Sequence, residues 1–425
     1  MLARLVLLGT QFFERSEEAR WALCSQVTTS AGNFLTVVIL SRGSDLSLLG
    51  KYSVFFLLTM IARSFFVGMV LVPFSTRFPQ LKERSKPFYI GYSLVAAAIS
   101  SIVLAGAVTI VVFMLSAPYG IELTETLSTL LFIATLGVLG AEYCRRYFFV
   151  QRLGKLAFLH DFLRYGLHLA LLAASILLGY DLHLELVLAT GALSSIVAIS
   201  GAAYHITLRR WSFKYSAAIA TRDWQFSKWM VVHIIGEAIL SNGLLLIAGL
   251  LTNPATLGTV RAAQALANTV NIPLNALQQI APSLAARALH ERGDAGLTQF
   301  VRNMLSWSAL GAVIGFFPLV AASREIMAFV FGFASSSAGT VFSLFLVSNV
   351  LFLFRIAYST KLQVLGRSSA LAISSALGAI AASAMISVTY NWGPVSVPSA
   401  YVIAAMITTF FLMIASSRRA PEIGL

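Results

Sequence analysis

Long apolar runs, each followed by a short polar or basic stretch, recur from one end of the chain to the other. A transmembrane helix needs about 20 predominantly apolar residues at 1.5 Å rise each. Runs of that order lie at 21–41, 50–71, 89–115, 127–143, 157–178 and 184–208, and again at 226–251, 258–281, 300–320, 340–360, 369–388 and 399–415. The pattern predicts an all-α membrane protein of about twelve spans. A membrane β-barrel would instead show alternating segments of about 10 residues.

The second set of runs repeats the first. LGKYSVFFLLTMIARSFFVGMVLVPFSTR (49–77) and LGTVRAAQALANTVNIPLNALQQIAPSLAAR (257–287) both open on Leu-Gly and close on Pro, Ser and Arg. Gly50 pairs with Gly258 at an offset of 208 (258 − 50). The loops Gln151-Arg152-Leu153-Gly154-Lys155 and Gln363-Val364-Leu365-Gly366-Arg367 pair at 212 (363 − 151), and Arg209-Arg210 pairs with Arg418-Arg419 at 209 (418 − 209). An even number of helices per repeat makes the two halves parallel in topology, pseudo-symmetric about an axis along the membrane normal, with a central cavity between them. The expected organisation is a cytoplasmic amphipathic N-terminus (1–20), an N-terminal six-helix lobe (21–208), a cytoplasmic interfacial linker (209–225), a C-terminal six-helix lobe (226–417) and a cytoplasmic tail (418–425). The apolar run Leu5 to Phe13 has no small-residue cleavage site behind it, so it reads as an interfacial helix.

Composition agrees. Charged residues make up 11% of the chain and hydrophobic residues 58%, against about 25% charged in soluble domains. The net charge of +13 does not point to nucleic acid. The basic residues gather in alternate short loops, among them Arg77, Lys82, Arg84 and Lys86, then Arg152 and Lys155, then Arg209 and Arg210. That alternation places both termini in the cytoplasm. Cys24 and Cys144 form no redox or metal spacing and are expected to be small buried thiols.

Few polar residues interrupt the spans, and these carry the candidate chemistry. Arg63 lies inside the second span, where a cation costs roughly 2.5–3.5 kcal/mol unless it faces water or a partner. On the eighth span Arg261, Gln264, Asn268, Asn271, Asn275 and Gln278 follow a 3-4-3-4-3 spacing, which places them on one helix face. Such a stripe cannot face lipid and lines a hydrated pathway or bonds neighbouring helices. Pro273 permits a bend there. Asn271 stands 208 residues beyond Arg63 (271 − 63), so the two repeats set different polar groups at one position. The first span has Gln26, Ser30 and Asn33 on one face; the seventh has His233, Glu237 and Ser241. Glu237, with His233, is read either as an ion- or proton-coupling site or as a salt-bridge partner of Arg63, Arg261 or Arg355. Arg164 after Asp161, and Glu142 before Arg145 and Arg146, read as local ion pairs. Arg63, Arg261 and Arg355 suit phosphate oxygens, because a guanidinium is planar, always charged and forked. The chain lacks P-loop, nucleophile-elbow and zinc-protease motifs, so no enzyme and no metal site is expected.

ILSRGSDLSLLGKY after the polar first span, VPFSTR at the end of the second, CRRYFFVQRLGKLAFLHDFLR after the fourth and LGTVRAAQALANTV opening the eighth resemble the polysaccharide-transporter branch of the multidrug/oligosaccharidyl-lipid/polysaccharide (MOP) superfamily, most of all O-antigen and exopolysaccharide flippases of the Wzx type. The resemblance implies two six-helix lobes and an undecaprenyl-diphosphate-linked oligosaccharide as substrate, moved across the bacterial inner membrane by alternating access. It further implies membrane lipids as surroundings, and polysaccharide polymerase and chain-length machinery as partners. In related lipid II flippases, arginines on helices one, two and eight meet the diphosphate. Arg63 and Arg261 match the last two, and helix one has no arginine within its span. The sodium site of relatives uses acids on helices seven and eleven; Glu237 matches the first, and helix eleven has none. No cofactor is expected beyond a coupling proton or cation. The alternatives are a cation-coupled drug or metabolite exporter of the same superfamily and, from another class, a membrane-embedded glycan polymerase. The short outer loops argue against a polymerase.

Overall fold

In the computed structural model, the described residues form helices along the apolar runs and contain no strand. The structure describes residues 17–78, 81–117, 119–206, 216–217, 219–221, 223–224, 236, 238, 242–251, 254–332, 336–365 and 367–417. The chain divides into two units, Met1–Ser44 with Val54–Ile235 and Asp45–Ser53 with Gly236–Leu425. Among the described residues, eight helical stretches are long and apolar enough to cross a membrane.

The first unit is built from α1 (Glu17–Gly43), most of α2 (Leu46–Phe66), α3 (Val72–Arg77), α4 (Lys86–Leu115), α5 (Glu125–Val150), α6 (Gly154–Leu177) and α7 (Leu184–Ala203). A π-helical turn, Val67–Leu71, joins α2 to α3. Pro73 causes it: proline has no N–H to give the preceding turn, and its ring displaces the carbonyl four residues back. α1 packs on α6, and α5 packs against α4, α6 and α7. Phe74 is the centre of an aromatic cluster, with rings of Tyr89, Tyr143 and Tyr147 stacked 5.9–6.5 Å away. The cluster's polar tips are satisfied. Tyr143 Oη lies 2.9 Å from Ser93 Oγ, and Tyr89 Oη donates to Asp223 Oδ2 at 2.8 Å. In the loop between α4 and α5, burial pushes the Tyr119 phenol pKa up, since the charged form is the one that loses hydration.

The second unit contains α8 (Leu244–Leu251), α9 (Pro254–Val270), α10 (Ile272–Gly311), α11 (Phe317–Ala321), α12 (Ser323–Phe331), α13 (Ser336–Val364), α14 (Ser368–Thr389) and α15 (Ser396–Ser417). α10 is broken at Gly293, whose φ of 61° suits glycine. α13 packs against α9, α10, α12 and α15, and α14 lies along α15. The start of α2 also belongs to this unit and crosses α9 at backbone distance. A Cβ on Gly50 would stand 1.9 Å from the Pro254 carbonyl oxygen, and one on Gly258 would stand 2.4 Å from that of Leu46. The contact is reciprocal in the repeat, since 254 − 46 and 258 − 50 are both 208. Small residues allow such close crossings, which is how helices gain packing energy in lipid.

Both cysteines are free thiols; Cys144 is buried as expected, but Cys24, on α1, is exposed.

Candidate functional site

In the first unit, α5 carries the sequence Glu142-Tyr143-Cys144-Arg145-Arg146. Spacings of three and four residues put both arginines on the next turn, over the same face as Glu142. Arg145 Nη2 donates to both Glu142 oxygens, at 2.7 and 2.9 Å. From α2, Arg63 Nε and Nη2 each lie 3.0 Å from Glu142 Oε2. Glu142 is thus shared by two guanidinium groups. Its side chain is 6% exposed, against 13% for Arg145 and 33% for Arg63. Half-buried Arg146 lies within electrostatic reach of Glu142, Arg145 and Arg63 and has no hydrogen-bond or ion-pair partner among the described residues. Glu142 pairs with two of the three guanidinium groups around it; counting Asp161 and Arg164 of α6, which lie within electrostatic reach, four guanidinium groups stand against two carboxylates, which leaves two positive charges over. One turn before Arg63, Thr59 Oγ1 lies 3.3 Å from Thr135 Oγ1 on α5, tying the two helices together. Arg63 therefore has a carboxylate partner in Glu142.

Asp161 and Arg164 lie within electrostatic reach of each other but make no direct hydrogen-bonded pair. The two residues face different helices from α6. Buried Asp161 accepts from Ser25 Oγ on α1, whereas Arg164 Nε donates to Ser195 Oγ on α7 at 3.1 Å and lies 5.0 Å over the Tyr165 ring. On α1, Gln26 Nε2 donates to Ser30 Oγ at 3.4 Å, and Asn33 is half-buried.

In the second unit, the polar stripe expected along one helix is divided. α9 ends at Val270, Asn271 forms a turn and α10 starts at Ile272 with Pro273 as its second residue. Pro273 cannot continue the ladder, so the helix breaks where the sequence allowed only a bend. The break rearranges the bonds around it. The Asn271 backbone N–H turns to Asn268 O at 3.2 Å, and Asn349 Nδ2 from α13 takes the Ala267 carbonyl that a continuous helix would give Asn271. Asn271 Nδ2 in turn donates to Asn349 Oδ1 at 3.1 Å. The two side chains form a clasp across the break.

The stripe's other members separate. Arg261 and Gln264 are buried, with Arg261 Nη1 donating to Gln264 Oε1 at 2.6 Å and Tyr401 bonded to Gln264. Asn268 is exposed. The side chains of Asn275 and Gln278, on α10, are not among those described. Arg355 on α13 is half-buried, its guanidinium 4.9 Å over the Phe352 ring. Arg63 belongs to the first unit, Arg261 and Arg355 to the second. His233, Glu237 and Ser241 lie outside the described residues, as do residues 1–16, most of the linker and the tail 418–425.

Sequence reasoning passed over Glu142 as the partner of Arg63, and over Arg146 and Asn349. Two signals were present. An acid followed by two arginines inside an apolar run leaves one arginine over, and Asn349 is an isolated amide in a strongly apolar helix.

No sequence-family model matches the chain, and no curated protein matches it. Solved structures do. An inward-facing multidrug resistance MATE-family transporter of the MOP superfamily superposes with a TM-score of 0.71 at 15% identity, over 95% of each chain. The lipid II flippase MurJ, in an inward closed conformation, gives 0.69 at 11% identity, over 93% of this chain and 87% of its own. A MOP-superfamily transporter from Pyrococcus furiosus, described as having a binding pocket of reversed polarity, gives 0.62 at 14% identity, over 94% and 96%. At these identities the likeness establishes the fold: that of the MOP-superfamily transporters, multi-pass α-helical membrane proteins.

Proposed function

We propose that this chain is a flippase that carries an undecaprenyl-diphosphate-linked oligosaccharide, an O-antigen or exopolysaccharide repeat unit, from the cytoplasmic to the outer leaflet of a bacterial inner membrane. The observation that carries the reading is the half-buried cluster of Arg63, Arg145 and Arg146 around the single carboxylate of Glu142. Unbalanced arginines in a low-dielectric setting favour phosphate oxygens, which accept forked, charge-assisted hydrogen bonds. A fold shared with the lipid II flippase supports a lipid-linked substrate. In this reading Arg63 holds the diphosphate and Arg261 and Arg355 add to the cationic field. Gln26, Asn33, Gln264, Asn268, Asn271, Asn275 and Gln278 meet sugar hydroxyls, and Glu237 with His233 couples an ion or proton. The lobes 21–208 and 226–417 alternate access, with both termini in the cytoplasm.

The fold shared with MATE transporters also admits a multidrug exporter. A cluster with two surplus positive charges repels cationic drugs, so we rank that reading second. The test is lipid extraction from a deletion strain. A flippase lesion accumulates diphosphate-linked repeat units on the cytoplasmic side, and Arg63→Ala fails to clear them although the protein is present at normal level. Normal export by Arg63→Ala removes Arg63 from the site; altered drug sensitivity without lipid accumulation selects the exporter.

A further inference from the structure

We infer that Glu142 is a stand-in for the substrate's phosphate: it holds the Arg63 fork while the site is empty and releases it to a phosphate oxygen when substrate arrives. The inference rests on the flippase reading above and adds residues that reading does not need.

Three features carry it. The first is geometry. Arg63 presents Nε and Nη2 to one carboxylate oxygen, at 3.0 Å each, and this edge of a guanidinium is the one that grips a phosphate oxygen. Arg63 is also the most exposed member of the pair system, at 33%.

The second is the security of Glu142 itself. Arg145 already holds both of its oxygens, at 2.7 and 2.9 Å. When Arg63 leaves, Glu142 is still paired. Arg146, four residues further along the same helix face and without a partner among the described residues, stands ready either to close on Glu142 or to join Arg63 on the ligand. A buried carboxylate stripped of its partners is strongly destabilising; here the exchange leaves Glu142 paired with Arg145.

The third is charge balance. The cluster, with Asp161 and Arg164 beside it, holds four guanidinium charges against two carboxylates, a surplus of two. A diphosphate joined to a lipid at one end and a sugar at the other carries one negative charge on each phosphorus. Surplus and ligand cancel only if Glu142 stays ionised and stays in the cluster. Glu142 is then a positioning residue acting through Arg63, not a substrate contact.

The test measures binding of undecaprenyl diphosphate to purified protein in lipid nanodiscs. Removing the stand-in frees Arg63, so Glu142→Gln is expected to bind about tenfold tighter than the native protein, which corresponds to about 1.4 kcal/mol. Arg146→Gln is expected to bind about tenfold weaker. The penalty of Arg63→Gln is expected to be larger in the Glu142→Gln background, because no binding energy is then used to break the Arg63–Glu142 pair; a merely structural Glu142 would not move that coupling. Binding by native protein together with equal or weaker binding by Glu142→Gln overturns the exchange and leaves the flippase reading standing. Binding by neither overturns both. Should Glu142→Gln fail to yield folded protein, Glu142→Asp serves: its carboxylate is one methylene too short to span both arginines, so tighter binding supports the exchange and unchanged or weaker binding overturns it.

Discussion

Two contacts occupy matching places in the two repeats and are made of opposite materials. In the first unit Arg63 meets Glu142; in the second Asn271 meets Asn349. The offsets are 208 (271 − 63) and 207 (349 − 142), while the loop after α5 pairs at 212, so the two contacts join corresponding helices at neighbouring rather than identical positions and differ in chemistry. The ionic version leaves charge over for a ligand. The amide version is uncharged: Asn271 Nδ2 donates to Asn349 Oδ1, Asn349 Nδ2 caps the carbonyl freed at the helix break, and Asn271 Oδ1 is left buried without a partner among the described residues. In the proposed reading, one repeat uses this contact for binding and the other for shape. At the glycine crossing the repeats have not diverged, since Leu46 and Gly50 do for α9 what Pro254 and Gly258 do for α2. Position in the fold conserves packing where backbones touch and frees side chains where they do not.

The largest effect should come from breaking the ionic version. Glu142→Ala takes from nearly buried Arg145 the carboxylate it is bonded to and leaves it only the field of Asp161, a change that costs about 3–5 kcal/mol in buried pairs. The exposure of Arg63 places this case toward the lower figure. Asn349→Ala removes amide bonds from the matching place and should cost about 1–2 kcal/mol, the usual penalty for an unsatisfied buried group. Thermal unfolding of both variants in detergent measures the difference. Equal losses would mean that the two contacts do the same structural work, and the division between binding and shape would fall.

Much of this was open to inspection in the chain. Arg63, alone in an apolar span, announced a polar partner, and the 208-residue offset led directly to Asn271. Its partner could not be read, because Glu142 is 79 positions away along the sequence and local spacing favoured Arg145, a pairing that is also made. The stripe failed for a different reason. Periodicity assumes an unbroken helix, and Pro273 ends that assumption after Val270, so residues in perfect register on paper fall on two helices. Arg164 failed because a helix face has two edges, and α1 and α7 claimed one each.

A middle-sized effect should come from the crossing that the repeats share. In Gly50→Ala the new methyl meets backbone, not a side chain that can swing away, so α2 and α9 must part. Overpacking of this kind costs about 1–3 kcal/mol. Gly258→Ala is expected to cost a similar amount, because the contact is reciprocal. Gly106→Ala is the control: nothing lies within 4 Å of its Cβ position, and alanine is the better helix former. Unfolding midpoints for the three variants check the claim, and a large gap between the two crossing variants would show that the repeats have diverged there as well.

The smallest effect concerns the turns that close α5 and α13, where the repeats again differ by one residue. After α5, Leu153 N–H bonds Phe148 O at 2.8 Å and Arg152 N–H bonds Phe149 O at 3.1 Å, the paired bonds of a glycine-type helix end. The enclosed residue is Arg152, held at a φ of 59°. After α13 the corresponding bond runs from Arg367 N–H to Leu362 O at 2.9 Å, and the residue before that donor is Gly366. Counted back from the two donors, the first turn thus encloses an arginine and the second a glycine, although in the 212-residue register Gly366 pairs with Gly154 and Arg152 with Val364. Arginine in the left-handed region is strained and glycine is not. Arg152→Gly should therefore stabilise the protein by about 0.5–1 kcal/mol, less whatever the freer unfolded chain takes back. Arg152→Val, with a branched Cβ at that φ, should destabilise it. The pair of midpoints fixes the sign: a glycine variant no more stable than the native chain, beside a tolerated valine, would mean that the turn relaxes away from the left-handed region and that the two repeats end these helices differently.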